Sequence, residues 1–285
     1  INTTATSNLG LGTGAVDSIT TGDYNVGVGD YALSATTTGY NNTATGYQAL
    51  LTNITGAQNT VSGYQALHAN TTGNNNVALG NNALGLNTTA SQNTATGATA
   101  LYRNTTGTYN TASGYNALYS NNASFNTANG SYALYSNTTG TENTATGYQA
   151  MYNNTTASYN TATGYQSLYS NTTGSHNTAN GRQALYANTT GTHNTTFGFG
   201  SLKNNTTGIW NTILGYAAGD NITTGSSNII IGASVDAASA TASNQLNIGG
   251  WITGAAGAIT VPGSLTTAGF TSTGIDDNAT STAIT

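Results

Sequence analysis

The 285-residue sequence has no cysteine, so no disulfide holds the chain together. Charged residues make up only 4% of it, and the basic ones are Arg103, Arg182 and Lys203. With a net charge of −5, the chain has no basic surface for phosphates, and no nucleic-acid partner is expected. It lacks an apolar run of about 20 residues, the length a spanning helix needs, so no membrane insertion is expected. It opens at Ile1 without a charged-then-apolar leader and is expected to be a processed or excerpted piece of something longer. Catalytic side chains do not cluster, and no cofactor is implied. The acidic residues do not follow a calcium-loop spacing. Asp17, Asp23 and Asp30 fall close together near the N-terminus and read as surface.

What is present is a repeat. The stretch Asn160 to His176 reads Asn-Thr-Ala-Thr-Gly-Tyr-Gln-Ser-Leu-Tyr-Ser-Asn-Thr-Thr-Gly-Ser-His, and Asn177 begins the phrase again. The opening Asn recurs every 17 residues from Asn8 to Asn228, with one step of 16 between Asn110 and Asn126. A fixed short period is the signature of a solenoid. With the opening Asn as position 0, position 4 is always Gly, from Gly12 to Gly232. That constancy predicts positive φ or close backbone approach. Asn-Thr-Thr-Gly near the end of many repeats marks a second corner. Seventeen residues with two corners leave no room for a helical pair, which needs about 33. The fold class predicted is all-β: a parallel β-solenoid, or β-roll, of about 17-residue coils. At about 4.8 Å per coil, the steps from Asn8 to Asn228 give a rod of roughly 60 Å.

Stacking turns each position into a column. Position 2 is small or apolar, as in Ala44, Val61 and Ala162, with Thr196 as the exception, and predicts a tight interior. Position 8 runs from Leu33 to Leu202, with Met151 among the leucines, and predicts the main core. Positions 1 and 3 exchange Thr with Val, Leu and Ile, the pattern of a half-buried seam, inside one chain or between chains. A core of one Leu and one or two Ala per coil is thin, and self-association is one remedy. Residues 1–24 read as a lead-in coil, 25–232 as the regular array, and 233–285 as a C-terminal transition and connector. The period is expected to fail after Gly232, with a loop over 233–243, a half-coil echo at Asn244 to Gly249, and one strand at Ala258 to Val261 stopped by Pro262-Gly263.

Two phrases carry a resemblance. Asn75 to Gly80 (Asn-Asn-Val-Ala-Leu-Gly) and Ser227 to Gly232 (Ser-Asn-Ile-Ile-Ile-Gly) resemble the head repeat of YadA-type trimeric autotransporter adhesins. The Gly-Tyr-Gln-Ala-Leu and Asn-Thr-Thr-Gly phrases, followed by Asn244 to Gly249, are more similar to phage tail-fibre proteins and related bacterial surface fibres. The resemblance covers about residues 8–254. It implies a homotrimer, a location outside the cell or on a virion, and a structural fibre or adhesin segment that supports attachment to a cell-surface glycan or receptor. Most coils depart from the adhesin pattern in carrying Thr where it has Val or Ile, and the period is longer.

Several columns invite a functional reading. Position 16 accepts Tyr109, Phe125, Glu142, Tyr159, His176, His193 and Trp210, so it reads as exposed. Its ring-bearing members, Tyr109, Phe125, Tyr159, His176, His193 and Trp210, are the candidate receptor surface. A metal at the His176–His193 pair is the weaker reading beside a solvated corner. Two tyrosine columns, Tyr47, Tyr64, Tyr115, Tyr148, Tyr165, Tyr216 and Tyr102, Tyr119, Tyr135, Tyr152, Tyr169, Tyr186, read as stiffening ring ladders in preference to a sugar-stacking face. The Asn-x-Thr sequon recurs at Asn53, Asn70, Asn87, Asn104, Asn137, Asn154, Asn171, Asn188 and Asn205, a candidate row of glycan acceptors on one edge, or plain turn chemistry. The Thr-Ala-Thr phrases raise ice binding as an alternative, against which Asn129, Asn180, Phe197 and Leu214 interrupt the threonine ladder.

Overall fold

A computed structural model describes residues 7–255 and the backbone of 258–260. Among these residues there is no helix; the chain is all-β. Each coil contributes one three-residue strand. Fourteen of these, from β1 (Leu9–Leu11) and β2 (Val26–Val28) to β13 (Thr212–Leu214) and β14 (Ile229–Ile231), pair in parallel with the next coil in register. The expected β-solenoid is therefore present. The segment between the two corners of each coil is not a strand. It is a run of turns that is bonded to its neighbours as thoroughly as the strand is: Leu50 N–H donates to the Ala66 carbonyl, Thr52 N–H to His68, and Gln65 N–H to Tyr47.

The position-4 glycines answer both expectations placed on them. Their φ values lie between 124° and 142°. A Cβ built on Gly164 would lie 2.6 Å from the carbonyl of Gly181 in the next coil. Position 14 shares the close approach to the next coil's carbonyl but differs in its backbone conformation. It has no positive φ, and Ala90, Ala123 and Ala157 replace glycine there.

The core is a column of leucines held in an unusual backbone. Leu50, Leu67, Leu168 and the other position-8 residues are fully buried, with φ between 50° and 55°. The left-handed conformation costs an L-residue about 1–2 kcal/mol. Burying the side chain returns about 1.5–3 kcal/mol. That balance keeps Leu where a glycine would be easier for the backbone. At coil 211 position 8 is Gly219, and Ile222 at position 11 fills the space its side chain leaves.

Two buried asparagine ladders run beside the leucines. At position 0, Asn59 N–H and Nδ2 donate to Asn42 Oδ1 at 3.0 and 3.1 Å, and Nδ2 also donates to the Gly73 carbonyl at 2.9 Å. At position 11, Asn70 Nδ2 donates to Asn53 Oδ1 at 2.9 Å and to the same Gly73 carbonyl at 3.0 Å. The position-14 carbonyl thus takes two amides and pins the corner. The position-11 ladder ends at Asn205, because the next residue in the column is Ile222 rather than Asn. Asn205 Oδ1 is accordingly buried without a donor. Thr196 Oγ1, in the otherwise apolar position-2 column, is the other buried atom without a partner among the described residues.

The shortened coil is repaired by one side chain. In ordinary coils the N–H groups of positions 12 and 13 both donate to the position-12 carbonyl above, as Thr71 and Thr72 do to Thr88. Where the residue is missing, Asn122 Oδ1 takes that role, accepting from Thr105 N–H at 3.0 Å and Thr106 N–H at 2.9 Å.

The expected failure of the period after Gly232 is corrected. Gln245 stands 17 residues after Asn228, and its N–H donates to Asn228 Oδ1 at 2.9 Å. Strand β15 (Gln245–Ile248) continues the parallel ladder, pairing Ile229 with Leu246 and Ile231 with Ile248. The loop over 233–243 is the rest of a further coil: Val235 and Ala240 accept from Gly219 and Thr223 below. The stack then ends in an antiparallel meander, β16 (Ile252–Ala255) and β17 (Ala258–Thr260). The predicted strand at Ala258 is there, while its stop at Pro262-Gly263 and the connector over 264–285 lie outside the described residues.

Candidate functional surface

Along each strand, exposure alternates. Positions 0 and 2 point in, and positions 16, 1, 3 and 5 point out, as the two-residue period of a strand requires. The seam expected at positions 1 and 3 does not lie inside one chain: in a single chain most of these residues are exposed, including Leu9 at 49%, Leu11 at 55% and Leu214 at 49%. They do not line the chain's own core. The result is a flat, nearly uncharged face, with short threonines in the middle and columns 16 and 5 rising at its edges.

Column 16 is exposed, and from Tyr159 onward it is one stack. Ring centroids lie 4.9 Å apart for Tyr159–His176, 4.8 Å for His176–His193 and 4.0 Å for His193–Trp210. The planes are within 17° of parallel at each step. Tyr109 and Phe125 form a separate pair at 5.2 Å, cut off by Glu142. The six candidate receptor residues therefore fall into two groups, not one strip. Column 5 includes a cation that the sequence reading left out: Arg182 lies over the Tyr165 and Phe199 rings, at 5.5 and 5.3 Å, and so joins Tyr148–Tyr165 to Phe199–Tyr216. The signal was its place in the tyrosine column. Column 9 stacks without a break from Tyr102 to Tyr186 at 5.1–5.4 Å, and Tyr132 touches both it and column 5. Each stacked pair adds about 0.5–1.5 kcal/mol. Ring faces inside these ladders are occupied by other rings, which leaves their edges for solvent.

Column 9 continues beyond Tyr186 as Lys203, Asp220 and Ala237, and Asp236 stands one position earlier in the last coil. Burial, and then the neighbouring Asp236 carboxylate, hold the Asp220 carboxyl above its ordinary value, with Lys203 opposing. Burial likewise raises the Tyr152 phenol, with Tyr135 and Tyr169 adding to it. A cleft of about 420 Å³ lies where the last coil meets the meander, with Asp236, Gln245, Asn247 and Thr253 in its lining. Among the described residues, no three His, Asp or Glu side chains converge as a metal set.

Of the two readings of the sequon row, the structure shows the turn chemistry. Asn53, Asn70, Asn87, Asn104, Asn137, Asn154, Asn171, Asn188 and Asn205 are all fully buried. These residues are the position-11 ladder, and each Nδ2 is spent on the position-14 carbonyl and, beyond Asn53, on the asparagine below. A glycan on that nitrogen would displace those bonds and open the core. By contrast, the strand-face threonines Thr94, Thr96, Thr144, Thr146 and Thr161 have exposed or half-exposed side chains with no hydrogen bond inside the chain. Compared with protein-family models, curated proteins and solved structures, the chain matches none.

Proposed function

We propose that the chain is a rigid segment of an extracellular or virion fibre, of the phage tail-fibre or cell-surface filament kind, that supports attachment to a host or surface. It works by stiffness and repeated surface, not by turnover. The observation that carries this reading is the continuity of the stack. Two asparagine ladders, a leucine column and a backbone bond at almost every position tie each coil to the next. Such a stack transmits force along its axis and presents the same side chains at a fixed pitch.

Self-association into a homotrimer belongs to the same proposal. Its support is the set of exposed aliphatic and aromatic side chains on the strand face, Leu9, Leu11, Phe197, Leu214 and Ile229, which a second and third copy would cover. Light scattering on the purified chain tests it, with a mass about three times 28.7 kDa expected. Electron microscopy tests the shape, with a rod of roughly 60 Å expected from the coil spacing. A compact particle would overturn the fibre reading, and a monomer would overturn the trimer.

One observation favours a second reading, ice binding: the strand-face threonine hydroxyls bond to nothing in the chain, whereas those of position 12, such as Thr71 and Thr172, donate to a carbonyl of the next coil. It needs that face uncovered, so it requires a monomer and measurable thermal hysteresis.

A further inference from the structure

The column-16 ladder ends abruptly, and the end differs from everything inside it. Tyr159, His176 and His193 each lie in contact with rings or are followed by one. Trp210 stacks on His193 with one face only. The next residues in the column are Ser227 and Asn244, so the opposite indole face looks along the rod over two coils that place no ring in this column. At about 4.8 Å per coil, that is a step roughly 10 Å long. Trp210 is 57% exposed, and Ser227 and Asn244 are exposed. The Ser227 hydroxyl and the Asn244 amide have no hydrogen-bond partner in the chain, although their backbone N–H groups are spent on Ile209 and Ser226. Tyr216, which ends column 5 on the same coil, has only Ala233 beyond it and no polar group at that place in the column.

We infer that this step is a binding site for a neutral pyranose sugar. The indole face carries the negative side of the ring quadrupole, which attracts the C–H face of a pyranose lying flat on it. A sugar stacked there occupies the level of Ser227, within reach of one hydroxyl and one amide that are otherwise unused. Those two side chains supply donors and acceptors suited to ring hydroxyls. No charged residue stands on the strand face of these coils, so the site matches a hexose or N-acetylhexosamine rather than an anionic sugar. It is open on one side, so a single site is weak, with a Kd on the order of 1 mM. Trp210, Ser227 and Asn244 stand in column 16 at the edge of the strand face, outside columns 1 and 3 that the trimer reading covers, so several copies at a fixed geometry would give avidity. This deepens the attachment reading above and rests on it for the source of the sugar, though not for the binding itself.

The test is a titration of the whole, assembled chain, labelled with 15N, following the two indole N–H resonances. The probes are methyl glucoside, methyl galactoside and N-acetylglucosamine, with sialic acid as the anionic control. The expected result is a saturable shift at Trp210 with at least one neutral sugar, none at the 77%-exposed Trp251, and none with sialic acid. Ser227→Tyr extends the ladder into a column that already accepts rings; it covers the open face, keeps the fold and abolishes the shift. Asn244→Ala weakens binding about fivefold, the worth of one hydrogen bond. No shift at Trp210 with any neutral sugar, or binding that survives Ser227→Tyr, overturns the inference. Particle shape and mass are read separately, so a rod that binds no sugar defeats the site and leaves the fibre reading standing.

Discussion

Thr196 is the place where the interior breaks its own rule, and replacing it should make the protein more stable. Position 2 is Ala in most coils and Val61, Ile213 or Ile230 in others, all buried. Thr196 is fully buried, between Ala179 and Ile213, and its Oγ1 has no partner. A buried hydroxyl left unpaired costs about 1–3 kcal/mol. Thr196→Val keeps the shape and removes the polar atom, so it should recover that amount. At the shift typical of a chain this long, each kcal/mol is about 2–4 °C, and a rise of roughly 2–12 °C in Tm is expected. Thr196→Ala removes the unpaired atom but also a buried methyl worth about 0.8 kcal/mol, so it should fall between wild type and Thr196→Val. Thr196→Ser keeps the hydroxyl, loses the methyl and should be the least stable of the four. Thermal and denaturant unfolding of the set provides the ranking. A Thr196→Val protein less stable than wild type would refute the reasoning, because the hydroxyl would then be shown to have a partner.

Three further predictions use the same columns. Gly164→Ala should destabilise by about 3 kcal/mol or more, since its φ is 129° and the new Cβ meets a backbone carbonyl at 2.6 Å; Gly174→Ala also meets a carbonyl, that of Gly191, but its φ is not positive and Ala157 is accommodated at the same position, so it should cost less, and denaturant midpoints compare the pair. Asn122→Leu should cost about 2 kcal/mol by stripping Thr105 and Thr106 N–H of their acceptor, with hydrogen exchange at those two amides rising ahead of their neighbours. Asp220→Asn should change the pH dependence of stability. The Asp220 pKa is raised in the folded state above its ordinary 3.8, so the folded chain binds this proton more tightly than the unfolded one. Its contribution therefore falls as pH rises through the window just above the ordinary value and is unfavourable at neutral pH. Asp220→Asn removes that decline, and unfolding measured from pH 3 to 7 should be flatter in the variant; an unchanged slope would contradict the assignment.

Much of the fold was legible because stacking makes identity visible. The Asn and Gly columns announce the coil, and the leucine column announces the core. What could not be read is what each asparagine does. An Asn-x-Thr motif looks the same whether its amide faces water or a carbonyl, and here Asn171 points inward to Asn154 and Gly174. The left-handed leucines were equally hidden, since propensity opposes them and only burial on a bonded turn sustains them. The last coil was missed because Gln245 takes the place of Asn, while the adjacent Asn244 offers a match one residue out of register. At the surface, the exposure of column 16 was legible from its mixed chemistry. The open face of Trp210 was not, because it depends on which rings stack and on the serine that ends the row.

The stacked register itself can be tested by covalent capture in a chain with no cysteine of its own. Thr144 and Thr161 are ladder partners in adjacent coils, whereas Thr144 and Thr178 are two coils apart. Adjacent parallel strands are about 4.8 Å apart, within the Cα separation of 4.4–6.8 Å that a disulfide tolerates, and two coils exceed it. Thr144→Cys with Thr161→Cys should close within one chain on mild oxidation, seen by mass and peptide mapping, and Thr144→Cys with Thr178→Cys should not. Equal closure of both pairs, or failure of the first, would contradict a single stacked axis.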